Sequence, residues 1–130
     1  MKRLILVVFA FVQMLLSACR KETRTERYAR EARETTAQCP MAIDANTVMD
    51  SMVYITDTHC FTYYYKVYGV PDSILIANKE FYRRQILDRL LNSPDMLPYI
   101  QDKVSFRYIY RMGASSNVEP MMDFLYDSLL

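Results

Sequence analysis

Cys60-Phe61-Thr62-Tyr63-Tyr64-Tyr65-Lys66-Val67-Tyr68 is the stretch that decides the fold. Aromatic and β-branched residues dominate it, and they suit the pleated, half-buried surface of a strand. Side chains alternate across a strand, so Phe61, Tyr63, Tyr65 and Val67 share one face and Cys60, Thr62, Tyr64 and Lys66 the other. The first face is the more apolar and is the expected core. A similar run from Val48 to Ile55 precedes it, and Thr56-Asp57-Thr58-His59 between the two reads as a hairpin turn.

Beyond the hairpin, Gly69 and Pro71 end the strand, and Asp72 is placed to cap a helix through roughly residues 73–92. Tyr82, Ile86 and Leu90, with Leu87 and Leu91, form its apolar stripe, while Lys79, Glu80, Arg83, Arg84, Asp88 and Arg89 face solvent. Ser93-Pro94 restarts a short turn that Pro98 limits. Val104 to Arg111 reads as a third strand, with Val104, Phe106, Tyr108 and Tyr110 alternating against Ser105, Arg107, Ile109 and Arg111. The C-terminal segment fits two readings. Ser116 and Glu119 match a capping box before helically spaced Met121, Leu125 and Leu129, yet Met122, Phe124 and Tyr126 alternate as in a strand. The fold class expected is α+β: a small antiparallel sheet with one main helix packed on a face.

Upstream, Met1-Lys2-Arg3 and the apolar run from Leu4 to Leu16 have the layout of an export signal. At 1.5 Å per residue the run reaches only about 20 Å, short of a bilayer core of about 30 Å. It ends in Leu16-Ser17-Ala18-Cys19, which resembles the lipobox of bacterial lipoproteins. The resemblance implies cleavage after residue 18 and lipidation of Cys19, whose acyl chains, at about 0.8 kcal/mol per methylene, hold the protein on a membrane. Arg20, with no Asp after the cysteine, resembles the sorting pattern that directs lipoproteins to the outer membrane; the domain is then expected to face the periplasm. Residues 20–38 carry almost no apolar side chains and alternate in charge, with Arg30 spaced four residues from both Glu26 and Glu34. They read as a charged tether, which divides the chain into a signal (1–18), a lipid-anchored tether (19–38) and one α+β domain (39–130).

The full chain has 16 basic and 15 acidic residues. Loss of Lys2 and Arg3 with the signal leaves 14 against 15, so nucleic-acid binding has no electrostatic basis. Beside Cys19, the thiols are Cys39 and Cys60. In an oxidising compartment they are candidates for one disulfide, worth about 3 kcal/mol for a loop of this length; the other reading is two separate buried thiols. His59 is the single histidine. A structural zinc wants four ligands, and a Cys-His pair wants an orienting group and an oxyanion site. No metal, cofactor or catalytic residue is assigned, and His59 is expected to be solvated.

Cys39-Pro40-Met41-Ala42-Ile43-Asp44, Thr62-Tyr63-Tyr64-Tyr65 and Phe106-Arg107-Tyr108-Ile109-Tyr110, together with the lipobox and the charged segment, resemble a group of small lipoproteins of Gram-negative bacteria whose function is uncharacterised. In that group the last segment is a strand, and the resemblance brings no activity with it. Eleven tyrosines invite a stacking role toward a sugar or a peptide. Tyr64, Arg107 and Arg111 lie on the strand faces opposite the expected core, and Tyr and Arg favour protein interfaces. The function expected is therefore a non-enzymatic, membrane-anchored module that binds an envelope protein. The alternatives are an inhibitor or immunity protein against a cell-wall-active enzyme or toxin, and an enzyme acting on envelope polymers.

Overall fold

A computed structural model describes residue 5 and residues 20–114 and 120–129. The residues read as an export signal, apart from Ile5, lie outside the described residues, and so does Cys19. The elements run α1 (Arg24–Ala37), β1 (Met41–Ala42), β2 (Thr47–Ile55), β3 (Cys60–Val67), α2 (Asp72–Ala77), α3 (Lys79–Asn92), a 3-10 turn (Pro94–Met96), α4 (Leu97–Gln101), β4 (Ser105–Met112) and β5 (Met122–Tyr126). The class is α+β.

The hairpin forms as the sequence reading places it, with Ile55 opposite Cys60 and Tyr54 opposite Phe61. The sheet, ordered β1-β2-β3-β4-β5, is not purely antiparallel, however. β3 and β4 run parallel, Tyr63 beside Tyr108 and Tyr65 beside Tyr110, while every other pair is antiparallel. The helical connection through α2, α3 and α4 carries the chain back to the end where β3 began, and only such a crossover can join parallel neighbours. The C-terminal segment is the strand β5, antiparallel to β4, with Met122 and Phe124 buried.

The tether reading of residues 19–38 is corrected. Thr23 and Glu26 close a reciprocal capping box, so that each side chain satisfies the other's backbone N–H at the start of α1. Tyr28 and Ala32 on this helix are only 1% and 2% exposed. They belong to the central core with Tyr54, Phe61, Leu90, Val104 and Phe106. The Tyr28 ring meets Tyr54, Phe61 and Tyr99 at 5.4–5.5 Å between centroids. One large aromatic side chain buried this fully contributes about 3 kcal/mol or more. α1 also covers a sheet edge: the Thr36 hydroxyl donates to the Met52 carbonyl at 2.8 Å and accepts from the Met52 N–H at 3.0 Å, beyond the reach of the two-residue β1. The charged side chains of α1 do face solvent, where Arg30 pairs with Glu22 and Glu34.

The single helix expected through residues 73–92 is two, divided at Asn78, whose backbone leaves the helical region. Its stripe is only partly used. Leu90 is buried and Tyr82, Ile86 and Leu87 are half-buried, whereas Leu91 is more than half exposed. Pro98 does not end a turn; it occupies the first turn of α4, where a missing N–H costs nothing.

Candidate functional site

The face of the sheet carrying Phe61 is covered unevenly. α1 and α4 press on its Phe61 end, while α2 and α3 stand over the other end and leave a cleft of about 570 Å³. Its floor is Tyr63 and Tyr65 of β3 with Tyr108 and Tyr110 of β4. Parallel registry places these residues side by side, and their rings stack: Tyr63 on Tyr108 at 5.2 Å and 9°, Tyr65 on Tyr110 at 4.8 Å and 16°. The diagonal Tyr65–Tyr108 planes also agree within 11°. Rings that stack on one another in this way spend their faces on each other, so their edges and hydroxyls are what the cleft meets.

None of the four hydroxyls bonds a protein group among the described residues. Burial pushes the pKa of Tyr63, Tyr65 and Tyr108 well above that of a free phenol and takes Tyr110 up to about 12. At Tyr110 a smaller downward pull from Arg89 is opposed by Asp44. All four are therefore neutral phenols at physiological pH. They can each donate one hydrogen bond and accept others, and they are not available as bases. The roof is apolar, with Leu75, Ile86, Leu90 and Met96, joined by Gln85 and Arg89.

The other sheet face holds the residues singled out as a partner surface. Tyr64, Arg107 and Arg111 all lie there. The Arg111 guanidinium sits over the Tyr64 ring at 5.7 Å from its centroid, a cation–π geometry. Arg107 grips Asp123 of β5 with two hydrogen bonds, Nε to Oδ1 at 2.8 Å and Nη2 to Oδ2 at 2.5 Å. These bonds hold the Asp123 carboxyl below the usual carboxylate range. Val53, Ile55 and Leu125 stand exposed on the same face. Thr62, paired with Arg107 across β3 and β4, is 1% exposed and its hydroxyl has no oxygen or nitrogen partner among the described residues.

Cys39 and Cys60 are free thiols. Cys39 follows α1 and feels the charge of Asp50, whereas Cys60 pairs with Ile55, five residues further along β2. Five residues of strand span about 16 Å, far beyond the roughly 7 Å that a disulfide tolerates between Cα atoms. The candidate disulfide is therefore not formed here. Burial pushes both thiols up, which disfavours the reactive thiolate.

His59 is only partly solvated, with its side chain 32% exposed and both ring nitrogens in contact with the protein, in place of the free side chain expected. Its Nε2 lies 3.0 Å from the Asp102 carbonyl, which can only accept, so Nε2 donates there, while Nδ1 lies 2.5 Å from the Tyr54 hydroxyl. Its backbone is left-handed, at φ 49°, and the imidazole packs against Tyr28 and Tyr54. Both ring nitrogens are thus occupied in holding the hairpin turn to the start of β4. No group of three or more His, Cys, Asp or Glu side chains among the described residues converges to hold a metal. Nor is any helix among them long and apolar enough to cross a membrane.

The reading of the sequence placed Tyr63, Tyr65, Tyr108 and Tyr110 in the core and did not single them out as a site. One signal was available: four inward positions carry Tyr rather than Phe, and four hydroxyls on an inner face need somewhere to point.

A solved structure of a candidate secreted protein from Pseudomonas aeruginosa is similar, with a TM-score of 0.65 over 82% of this chain and 88% of that chain at 13% sequence identity. At that identity the likeness is one of fold. The curated proteins provide no match. Residues 23–119 match a family described as a domain of unknown function, DUF8479. That match begins at Thr23, the capping residue of α1, and takes in the sheet through β4. Because it covers well over half of its length, the chain belongs to the DUF8479 family.

Proposed function

We propose that this protein is an envelope lipoprotein, anchored through Cys19, that acts without catalysis by binding another envelope protein. The observation that carries the binding reading is the sheet face away from the Phe61 core. There Tyr64, Arg107 and Arg111 lie together, bordered by exposed Val53, Ile55 and Leu125. Apolar side chains around a Tyr–Arg pair supply desolvation area and directional contacts on one flat surface, the combination that protein interfaces favour.

The anchoring part of the reading rests on Leu16-Ser17-Ala18-Cys19 after an apolar run. The secreted description of the similar Pseudomonas aeruginosa structure agrees with export, and the outer membrane, with the domain facing the periplasm, is the location the Arg20 pattern favours. Only Arg20, Lys21 and Glu22 separate Cys19 from the cap of α1. On this reading the domain therefore sits close to the lipid surface, with no long spacer.

The test is crosslinking in cells of tagged full-length protein, with mass spectrometry of what is captured. One enriched envelope protein, weakened by Tyr64→Ala and Arg111→Ala, is the expected result. Capture that ignores both substitutions would overturn the assignment of this face, and an acyl-free mature N-terminus would overturn the anchor.

A further inference from the structure

We propose that the cleft between the sheet and α2–α3 is a second site, independent of the partner face, and that it binds a neutral, multiply hydroxylated ligand of the short-oligosaccharide class.

The chemistry follows from what the cleft presents. Tyr63, Tyr65, Tyr108 and Tyr110 bring four hydroxyls together on one patch of the floor, and none is spent on the protein among the described residues. A hydrocarbon ligand would take these hydroxyls out of water and offer them nothing, which is costly for every group left unpaired. A sugar answers them, since each of its hydroxyls both donates and accepts, as a phenol does. Its C–H surfaces also need apolar partners, and Leu75, Ile86 and Met96 stand on the opposite wall. Charge does not favour an ionic ligand. Arg89 and Asp44 both line the cleft and act on Tyr110 in opposite senses. The volume of about 570 Å³ falls within the range of small-molecule sites.

The experiment uses the full chain in a polyoxyethylene detergent, which carries no sugar. The chain has no tryptophan, so its ultraviolet emission comes from tyrosine. The probes are maltotriose and chitotriose, with laurate as the hydrocarbon and tetraalanine as the peptide. A saturable change in emission with at least one trisaccharide is expected. In a Tyr108→Phe, Tyr110→Phe variant it should need about tenfold more sugar per hydrogen bond lost. These substitutions remove no hydrogen bond within the described protein, so the fold should persist, and circular dichroism checks that it does. Tyr63→Phe alone provides a second, milder variant. Tyr64→Ala, on the other face, should leave sugar binding unchanged. The proposal is overturned if neither trisaccharide binds, if the Phe variants bind as well as the parent, or if only laurate or tetraalanine binds. Because the partner face is read by crosslinking, failure here leaves that assignment standing.

Discussion

The Tyr28 hydroxyl donates a 2.5 Å hydrogen bond to Oδ2 of Asp102, tying α1 to the segment that leads into β4. Arg24 pairs with the other carboxylate oxygen, and His59 reaches the Asp102 carbonyl. Three segments far apart in sequence thus meet at one residue. Tyr28→Ala should lower stability by about 3–5 kcal/mol, the cost of an emptied aromatic site, and Tyr28→Phe by about 1–2 kcal/mol. Urea denaturation of the two variants checks this. Wild-type stability in Tyr28→Ala would mean that α1 is the loose tether its composition suggests.

Thr62 is a separate case, because its buried hydroxyl has no oxygen or nitrogen partner among the described residues and meets only the weakly accepting sulfur of Cys60. Valine has nearly the same shape and no polar atom. Thr62→Val should therefore raise stability by about 1 kcal/mol, seen as a higher urea midpoint with unchanged slope. A drop of similar size would show that the hydroxyl is bonded in solution.

The tyrosine floor sets the alkaline limit. Burial raises the folded-state pKa of Tyr63, Tyr65, Tyr108 and Tyr110 above the unfolded value of about 10. A raised pKa means that the folded protein holds these protons when the unfolded chain releases them. The stability they contribute is therefore complete below about pH 10 and is lost as pH climbs through the folded values, beginning with Tyr110 near 12. The part of the phenolate absorbance that is lost when these four tyrosines are replaced by Phe should change together with circular dichroism in one cooperative step above pH 10. Phenolate signal from all four rings before any loss of structure would contradict their burial.

For Arg107 and Asp123 the sign is opposite. Hydrogen bonding to Arg107 depresses the Asp123 pKa, so the stabilisation is present above the unfolded value of about 4 and disappears as pH falls through the folded value. Both side chains are partly exposed, which limits the pair to about 0.5–1 kcal/mol. A double-mutant cycle of Arg107→Ala and Asp123→Ala at pH 7 and again at pH 2 should give that coupling at the first pH and a smaller one at the second.

Much of the sheet was legible because its signals are local. Alternation in Cys60–Val67 and in Ser105–Met112 places the side chains on their faces whatever the partners are, and the four-residue connection before Cys60 makes a hairpin of β2 and β3. α1 was harder to see. Its capping box, Thr23 to Glu26, is written in the sequence, but its buried face consists of one tyrosine with alanines and a threonine, too little apolar surface to announce a core helix. The loss of the Cys39–Cys60 pairing has a similar origin, since spacing along a chain says nothing of where the two Cα atoms end up.

Local periodicity, capping and turn chemistry act over a few residues, and by themselves they determined β2, β3 and β4, the hairpin, the face on which Tyr64, Arg107 and Arg111 lie, and the α+β class, while they left the C-terminal segment open between helix and strand. Only the tertiary structure decided that β4 runs parallel to β3, because strand direction depends on the path of the whole helical connection. That choice sets Tyr63 against Tyr108 and Tyr65 against Tyr110. It also decided how closely α2 and α3 approach the sheet, and so whether these four rings end in a sealed core or, as here, in the floor of an open cleft. Packing between elements distant in sequence has no local signature, and that packing is what turned a row of core tyrosines into a site.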